Sequence, residues 1–121
     1  MSKHLELGKQ GEQLAVDFLK KKGFVILERN WRFHHKEVDI IAEKNNTLIF
    51  VEVKTRTTDY FGYPFEAVTP HKQLFLIEAA NGYLENNDLD KEVRFDVVSI
   101  ISNNMEKPNI THIPDAFAPE V

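Results

Sequence analysis

From Lys3 to Lys22, Leu5, Gly8, Ala15, Val16 and Leu19 recur at spacings of three and four, with Glu12 in the same stripe. That is the period of one helix face, and Gly23 after a basic last turn is the expected stop. The rhythm then shortens to that of strands. Phe24 to Phe33 and Glu37 to Lys44 read as the first two, and Thr47 to Thr55 as the third. Asn45-Asn46 between the second and third supplies the left-handed residues that a tight hairpin demands. Thr57 to Thr69 reads as an ordered loop, and Thr69-Pro70 as a helix start with Thr at the N-cap. The second helix is expected to run to about Asn86, burying Leu74, Ile77, Ala80 and Leu84. Val93 to Ser102 makes a fourth strand, and Ile110 to Ile113 a short fifth one after a turn over Asn103 to Asn109. The order α-β-β-β-α-β predicts one α/β domain over residues 1–121, a mixed four- to five-stranded sheet flanked by helices. The tail from about residue 114, with Pro114 and Pro119, reads as loosely packed.

The stretch LIFVEVKTR, Leu48 to Arg56, breaks its own pattern. A strand this apolar is built to be buried on both faces, yet Glu52 and Lys54 interrupt it two residues apart, hence on one side. A two-residue turn at Asn45-Asn46 sets the register, so that opposed residues have numbers summing to 91. Asp39 then faces Glu52, and Glu37 faces Lys54. Val38, Ile40 and Ala42 should share the other face with Ile49, Val51 and Val53. Opposed carboxylates repel, and burial worsens the repulsion, so the site calls for a cation or a proton. Lys54 answers part of that need. A divalent, oxygen-seeking ion such as Mg²⁺ answers it better, since one or two carboxylates plus waters and a phosphate suffice to hold it. The plain alternative is a cross-strand ion-pair network of Glu37 with Lys54, and for any single charge that alternative is favoured. Glu12, in mid-stripe on the first helix, either reaches solvent or points at something positive between helix and sheet. Gly8 and Gly11 cost helix propensity, as a close approach of that backbone to the sheet or a substrate would require.

Composition narrows the class. At 42% hydrophobic and 28% charged, the 121-residue chain is globular rather than disordered. It contains no cysteine, which removes disulfides and thiolate metal sites. No apolar leader or membrane-length stretch stands out, so a soluble cytoplasmic protein is the expectation. The net charge of −4 opposes bulk attraction to nucleic acid. Lys20 to Lys22, Arg29, Arg32, His34, His35 and Lys36 nevertheless make the first third locally basic. The histidines, including His4, His71 and His112, lack metal spacing and read as loop or surface residues. Trp31 and Phe33 could stack on bases, although core packing is the better reading for strand aromatics.

G-x-x-G-E at Gly8 to Glu12, E-V-D-I-I-A at Glu37 to Ala42, F-V-E-V-K-T-R at Phe50 to Arg56, F-G-Y-P at Phe61 to Pro64 and R-F-D-V-V at Arg94 to Val98 belong together. With them, the chain from Leu7 to Phe117 resembles the uncharacterised YraN-type bacterial family. That family is similar to the archaeal Holliday-junction resolvases of the PD-(D/E)XK nuclease superfamily. The resemblance implies a restriction-endonuclease-like fold and an Mg²⁺- or Mn²⁺-dependent DNA endonuclease. It implies a metal held by Asp39, Glu52 and the Val53 carbonyl, with Glu12 completing that site or holding a second ion and Lys54 as the catalytic lysine. Arg56, Lys36 and Lys72 are candidates for DNA phosphates. Resolvase-like relatives work as dimers on branched DNA, which leaves room for a homodimer here. Two positions depart from the pattern, Val38 in place of the superfamily's proline and Lys36 in place of a glycine common in the family. The rival reading is a nucleic-acid- or protein-binding module that keeps the fold without cleaving. A weaker third is a phosphodiesterase acting on nucleotides or RNA.

Overall fold

The computed structural model describes residues 3–57, 68–101 and 107–118, with backbone alone for residues 3–6. Most of the expected Thr57 to Thr69 loop, including F-G-Y-P, lies outside the described residues, as does much of the Asn103 to Asn109 turn. The elements are α1 (Lys3–Lys21), β1 (Val25–Phe33), β2 (Lys36–Lys44), β3 (Thr47–Arg56), α2 (Pro70–Asn86), β4 (Glu92–Ile101) and β5 (Asn109–Phe117). Local chemistry accounts for their limits. Gly23, at φ 92°, closes α1 with Gly23 N–H to Lys20 O and Phe24 N–H to Leu19 O, both 3.0 Å, the Schellman pairing. Asn45 and Asn46 adopt φ 52° and 63° and turn β2 into β3. Thr69 caps α2, its hydroxyl accepting from Lys72 N–H at 3.2 Å, and Pro70 occupies the first turn.

The five strands lie in the order β1-β2-β3-β4-β5. All neighbours are antiparallel except β3 and β4, which run parallel because α2 crosses between them. The sheet has a core on each side. On the α2 side, Ile41, Leu48, Phe50, Phe95 and Val97 meet Leu76, Ala79, Ala80 and Tyr83. On the α1 side, Ile40, Ala42, Ile49, Val51, Val98 and Ile100 meet Ala15, Val16 and Leu19. The central strand is therefore apolar in both directions from Leu48 to Val51, as expected for a doubly covered strand. No helix among the described residues is long and apolar enough to cross a membrane.

Three expectations need correcting. α2 buries Leu76, Ala79, Ala80 and Tyr83, while Leu74 is 54% exposed. Four consecutive apolar residues, Leu74 to Ile77, satisfy the helical period for more than one face, so periodicity cannot set the rotation. Gly82 helps set it, since a β-carbon there would collide with the Phe33 ring. β5 is also longer than expected and runs through Pro114 to Phe117, whose ring stacks on Phe95 at 4.9 Å. An edge strand tolerates that proline because one side of its ladder is unpaired. Finally, Val38 packs on the α2 side and Ile40 on the α1 side. Residues two apart on opposite faces mean that alternation breaks at Asp39. Across the ladder, Asn30 takes a left-handed φ of 52° between the partners of those two residues.

The glycines of α1 separate cleanly. A β-carbon at Gly11 would overlap Thr55 Oγ1 on β3, whereas one at Gly8 would meet nothing within 4 Å. Gly11→Ala is expected to destabilise the fold by about 1–3 kcal/mol through overpacking. Gly8→Ala should be neutral or stabilise by up to about 1 kcal/mol. Urea denaturation of the two variants checks both signs.

Candidate functional site

The hairpin register holds from Lys44/Thr47 to Ile40/Val51, and there the pairing of β2 with β3 stops. β3 continues on its other side against β4 as far as Arg56/Ile101. Asp39 and Glu52 thus stand one step beyond the last rung, where the two strands part, and are not a ladder pair. The reason is visible at Asp39. Its Oδ2 accepts the Val53 N–H at 2.8 Å, a side chain taking the donor that a β2 carbonyl would otherwise receive. The break in alternation at Asp39 and the opening of the ladder are one local event.

Beside that opening lies a cavity of about 240 Å³ lined by Leu7, Gly8, Glu12, Asp39, Val53, Lys54 and Thr55. The close packing of Gly11 on Thr55 brings α1, and with it Glu12, to the end of β3. Glu52 is not part of this lining. Its side chain, 13% exposed, instead reaches Lys72 of α2, with Oε1 3.5 Å from Nζ. Among the described residues, Glu12 Oε1 and Glu52 Oε2 are both buried atoms with no hydrogen-bond partner. Arg56 Nε is a third such atom nearby in the chain, half-buried at the end of β3.

Electrostatics shows the strain. Burial, then the Glu12 charge, push the Asp39 carboxyl up to about 6 against the pull of the Val53 N–H. Burial first, then the Asp39 charge, push Glu52 up to about 7, with Lys72 and Lys54 acting in the opposite sense. Both acids hold a proton more tightly than their ordinary values because two negative charges share poorly solvated space. Among the described residues, no three Asp, Glu or His side chains converge as a ready-made metal cage. The orphaned carboxylate oxygens and the two destabilised anions still fit an oxygen-seeking ion. Such an ion completes its shell with water and substrate rather than with protein alone.

The remaining expected residues divide. Lys54 lines the cavity, whereas Lys36 packs its ammonium 5.6 Å from the centroid of the Phe75 ring and lies outside the lining. Glu37 acts on Asp39 only as a weaker repelling charge. Trp31 and Phe33 pack against the α2-side core, Trp31 meeting Tyr83 edge-on at 5.2 Å.

One cluster escaped the reading of the sequence. Asp96 is 1% exposed and accepts four hydrogen bonds: two from Arg94 at 2.8 and 2.9 Å, one from His112 Nε2 at 2.7 Å and one from Asp115 N–H at 3.0 Å. Burial pushes this carboxyl up, but those donors outweigh it and hold it below the usual range. His112 is not a surface residue, its side chain being only 4% exposed. The rings of Phe18 and Phe24 meet it edge-on, and Lys22 Nζ lies 2.9 Å from its Nδ1. The available signal was the carboxylate in R-F-D-V-V, an acid two residues after an arginine and followed by an apolar run.

Residues 11–100 match the profile of the "Uncharacterised protein family UPF0102". The chain belongs to that family. UPF0102 protein FP2501 of Flavobacterium psychrophilum is 50% identical over 117 residues, covering 97% of this chain and 98% of its own. A UPF0102 protein of Christiangramia forsetii is 51% identical over 117 residues, with the same coverage. UPF0102 protein BF0634 of Bacteroides fragilis is 45% identical over 119 residues, covering 98% of each. The stretch matched by the UPF0102 profile includes Glu12, Asp39, Glu52, Lys54 and Lys72, while Leu7 and Gly8 of the cavity lining precede it.

Proposed function

We propose that this UPF0102 protein is a metal-dependent endonuclease that hydrolyses phosphodiester bonds in DNA, with branched or recombination-type substrates as its natural class. The reading treats the mixed sheet and its two helices as a restriction-endonuclease-like scaffold. One observation carries it: half-buried Asp39 and Glu52 sit where β2 and β3 part, and among the described residues no cation satisfies them both. A fold bears such a cost where function requires it.

Asp39 and Glu52, with the Val53 main chain, would hold Mg²⁺ or Mn²⁺, and Glu12 would complete that site or hold a second ion. When bound, the ion would supply positive charge for the phosphodiester and acidify an attacking water. The protein's own contributions are more concrete. Asp39 is oriented by the Val53 N–H, which fixes one acceptor for an incoming cation. Lys54, exposed at the cavity, can reach a phosphate oxygen and stabilise charge that develops on it. Arg56, Lys36 and Lys72 would hold flanking phosphates. A homodimer would offer two such sites to a symmetric branched substrate.

The test is incubation of the purified protein with end-labelled four-way, forked and plain duplex DNA in Mg²⁺ or Mn²⁺. Nicking that EDTA abolishes is the expected result, and intact substrates under every condition would refute the proposal. The second reading, a binding module without cleavage, draws on the net charge of −4, which suits neither a steered nor a fast-encountering nuclease. It predicts binding without turnover, and binding that survives neutral substitutions at Asp39 and Glu52.

A further inference from the structure

Lys72 stands at the edge of the acidic pair. In one position its ammonium lies 3.5 Å from Glu52 Oε1 and 5.7 Å from the centroid of the Phe75 ring. Its backbone is held by the Thr69 cap, so only the side chain is left to swing. The pairing is incomplete, because among the described residues Glu52 Oε2 is buried without a partner and Asp39 receives nothing from Lys72 closer than a through-space attraction. A monovalent ammonium thus lightens the negative charge of the pair without satisfying it.

We propose that Lys72 is a resident counter-ion, standing in for the divalent cation in the metal-free protein and leaving Glu52 when the cation binds. This rests on the metal-dependent reading above. A divalent ion on Glu52 would lie within a few ångströms of the ammonium, and that repulsion drives Lys72 off the carboxylate. The freed ammonium then meets a DNA phosphate only after the metal is in place, which orders binding as metal first and phosphate contact second. A static ion pair, in which Lys72 keeps Glu52 ionised and stays there, makes the opposite prediction, since its loss would weaken the metal.

The experiment is calorimetric titration of Mn²⁺ into wild type, Lys72→Met, Lys72→Gln and Lys72→Arg at neutral pH, with Glu52→Gln as the control for the site. Removal of the competing charge should tighten Mn²⁺ binding about 3- to 10-fold in the Met and Gln variants, with Arg near wild type. Equal or weaker binding in both neutral variants overturns the counter-ion role and leaves the metal site standing. No Mn²⁺ uptake by any form, wild type included, overturns both readings. The order of events has its own readout in the affinity for a fluorescent duplex. Lys72→Met should weaken duplex binding in Ca²⁺, which supports binding without requiring cleavage, and leave it unchanged in EDTA. An equal loss in both buffers would overturn the ordered hand-over.

Discussion

Glu52→Gln is expected to make the protein more stable and to abolish the DNA cleavage proposed for it. The two effects share one cause. Glu52 is held in a poorly solvated position beside Asp39, so its charge opposes folding while offering a ligand for an ion. Its folded pKa of about 7 lies above its ordinary value of 4.5, so the folded chain binds the proton more tightly than the unfolded one. Stability is therefore highest below the ordinary value, falls as pH rises through the interval between the two, and carries the full penalty above the higher one. Glutamine keeps the shape without that charge. At about pH 8 the variant should exceed the metal-free wild type by about 1–3 kcal/mol, and at about pH 4 the difference should vanish. Chemical denaturation in EDTA across this range measures the gap. A wild type that gains stability with rising pH would show that Glu52 is not strained. Nicking by Glu52→Gln should fall at least about 10³-fold, with duplex binding retained. Preserved nicking would remove Glu52 from the site.

The second large effect concerns the Asp96 cluster, where charge stabilises the fold instead of burdening it. Asp96→Ala removes the acceptor of four hydrogen bonds and leaves the Arg94 guanidinium and His112 imidazole facing a void. Losing one partner of a buried charged network costs about 3–5 kcal/mol, a large share of the roughly 5–15 kcal/mol that holds a domain together. Most of the loss should appear in unfolding, because Asp96 on β4 ties directly to His112 and Asp115 on β5. Urea midpoints measure it. A variant that keeps wild-type stability yet loses nicking would move Asp96 from scaffold to site. The contrast with Glu52 is one of partners: Asp96 is buried with four donors, whereas half-buried Glu52 has, among the described residues, one ammonium at 3.5 Å and a weaker attraction to Lys54.

Much of this architecture was legible along the chain because its signals are local. Helical spacing in α1, the Gly23 stop, the Asn45-Asn46 turn and the Thr69-Pro70 cap each depend on a few neighbouring residues whose backbone preferences are strong. Hairpin arithmetic carried the register as far as Ile40 and Val51 for the same reason. It failed one residue later, since an aspartate side chain can replace a carbonyl as acceptor and no count of positions registers that exchange.

What sequence alone determined about this protein was therefore the list and order of its elements and the two charged residues, Glu52 and Lys54, that interrupt β3. Tertiary structure alone decided which face of α2 turns inward, that Val38 and Ile40 part company at Asp39, and that His112 is sealed under two phenylalanine rings. It also decided that Glu52 meets Lys72 across the chain crossover. Backbone preference acts between neighbours and is written in their order. Burial and charge act through space, and the distances that set them exist only once the strands have been laid side by side.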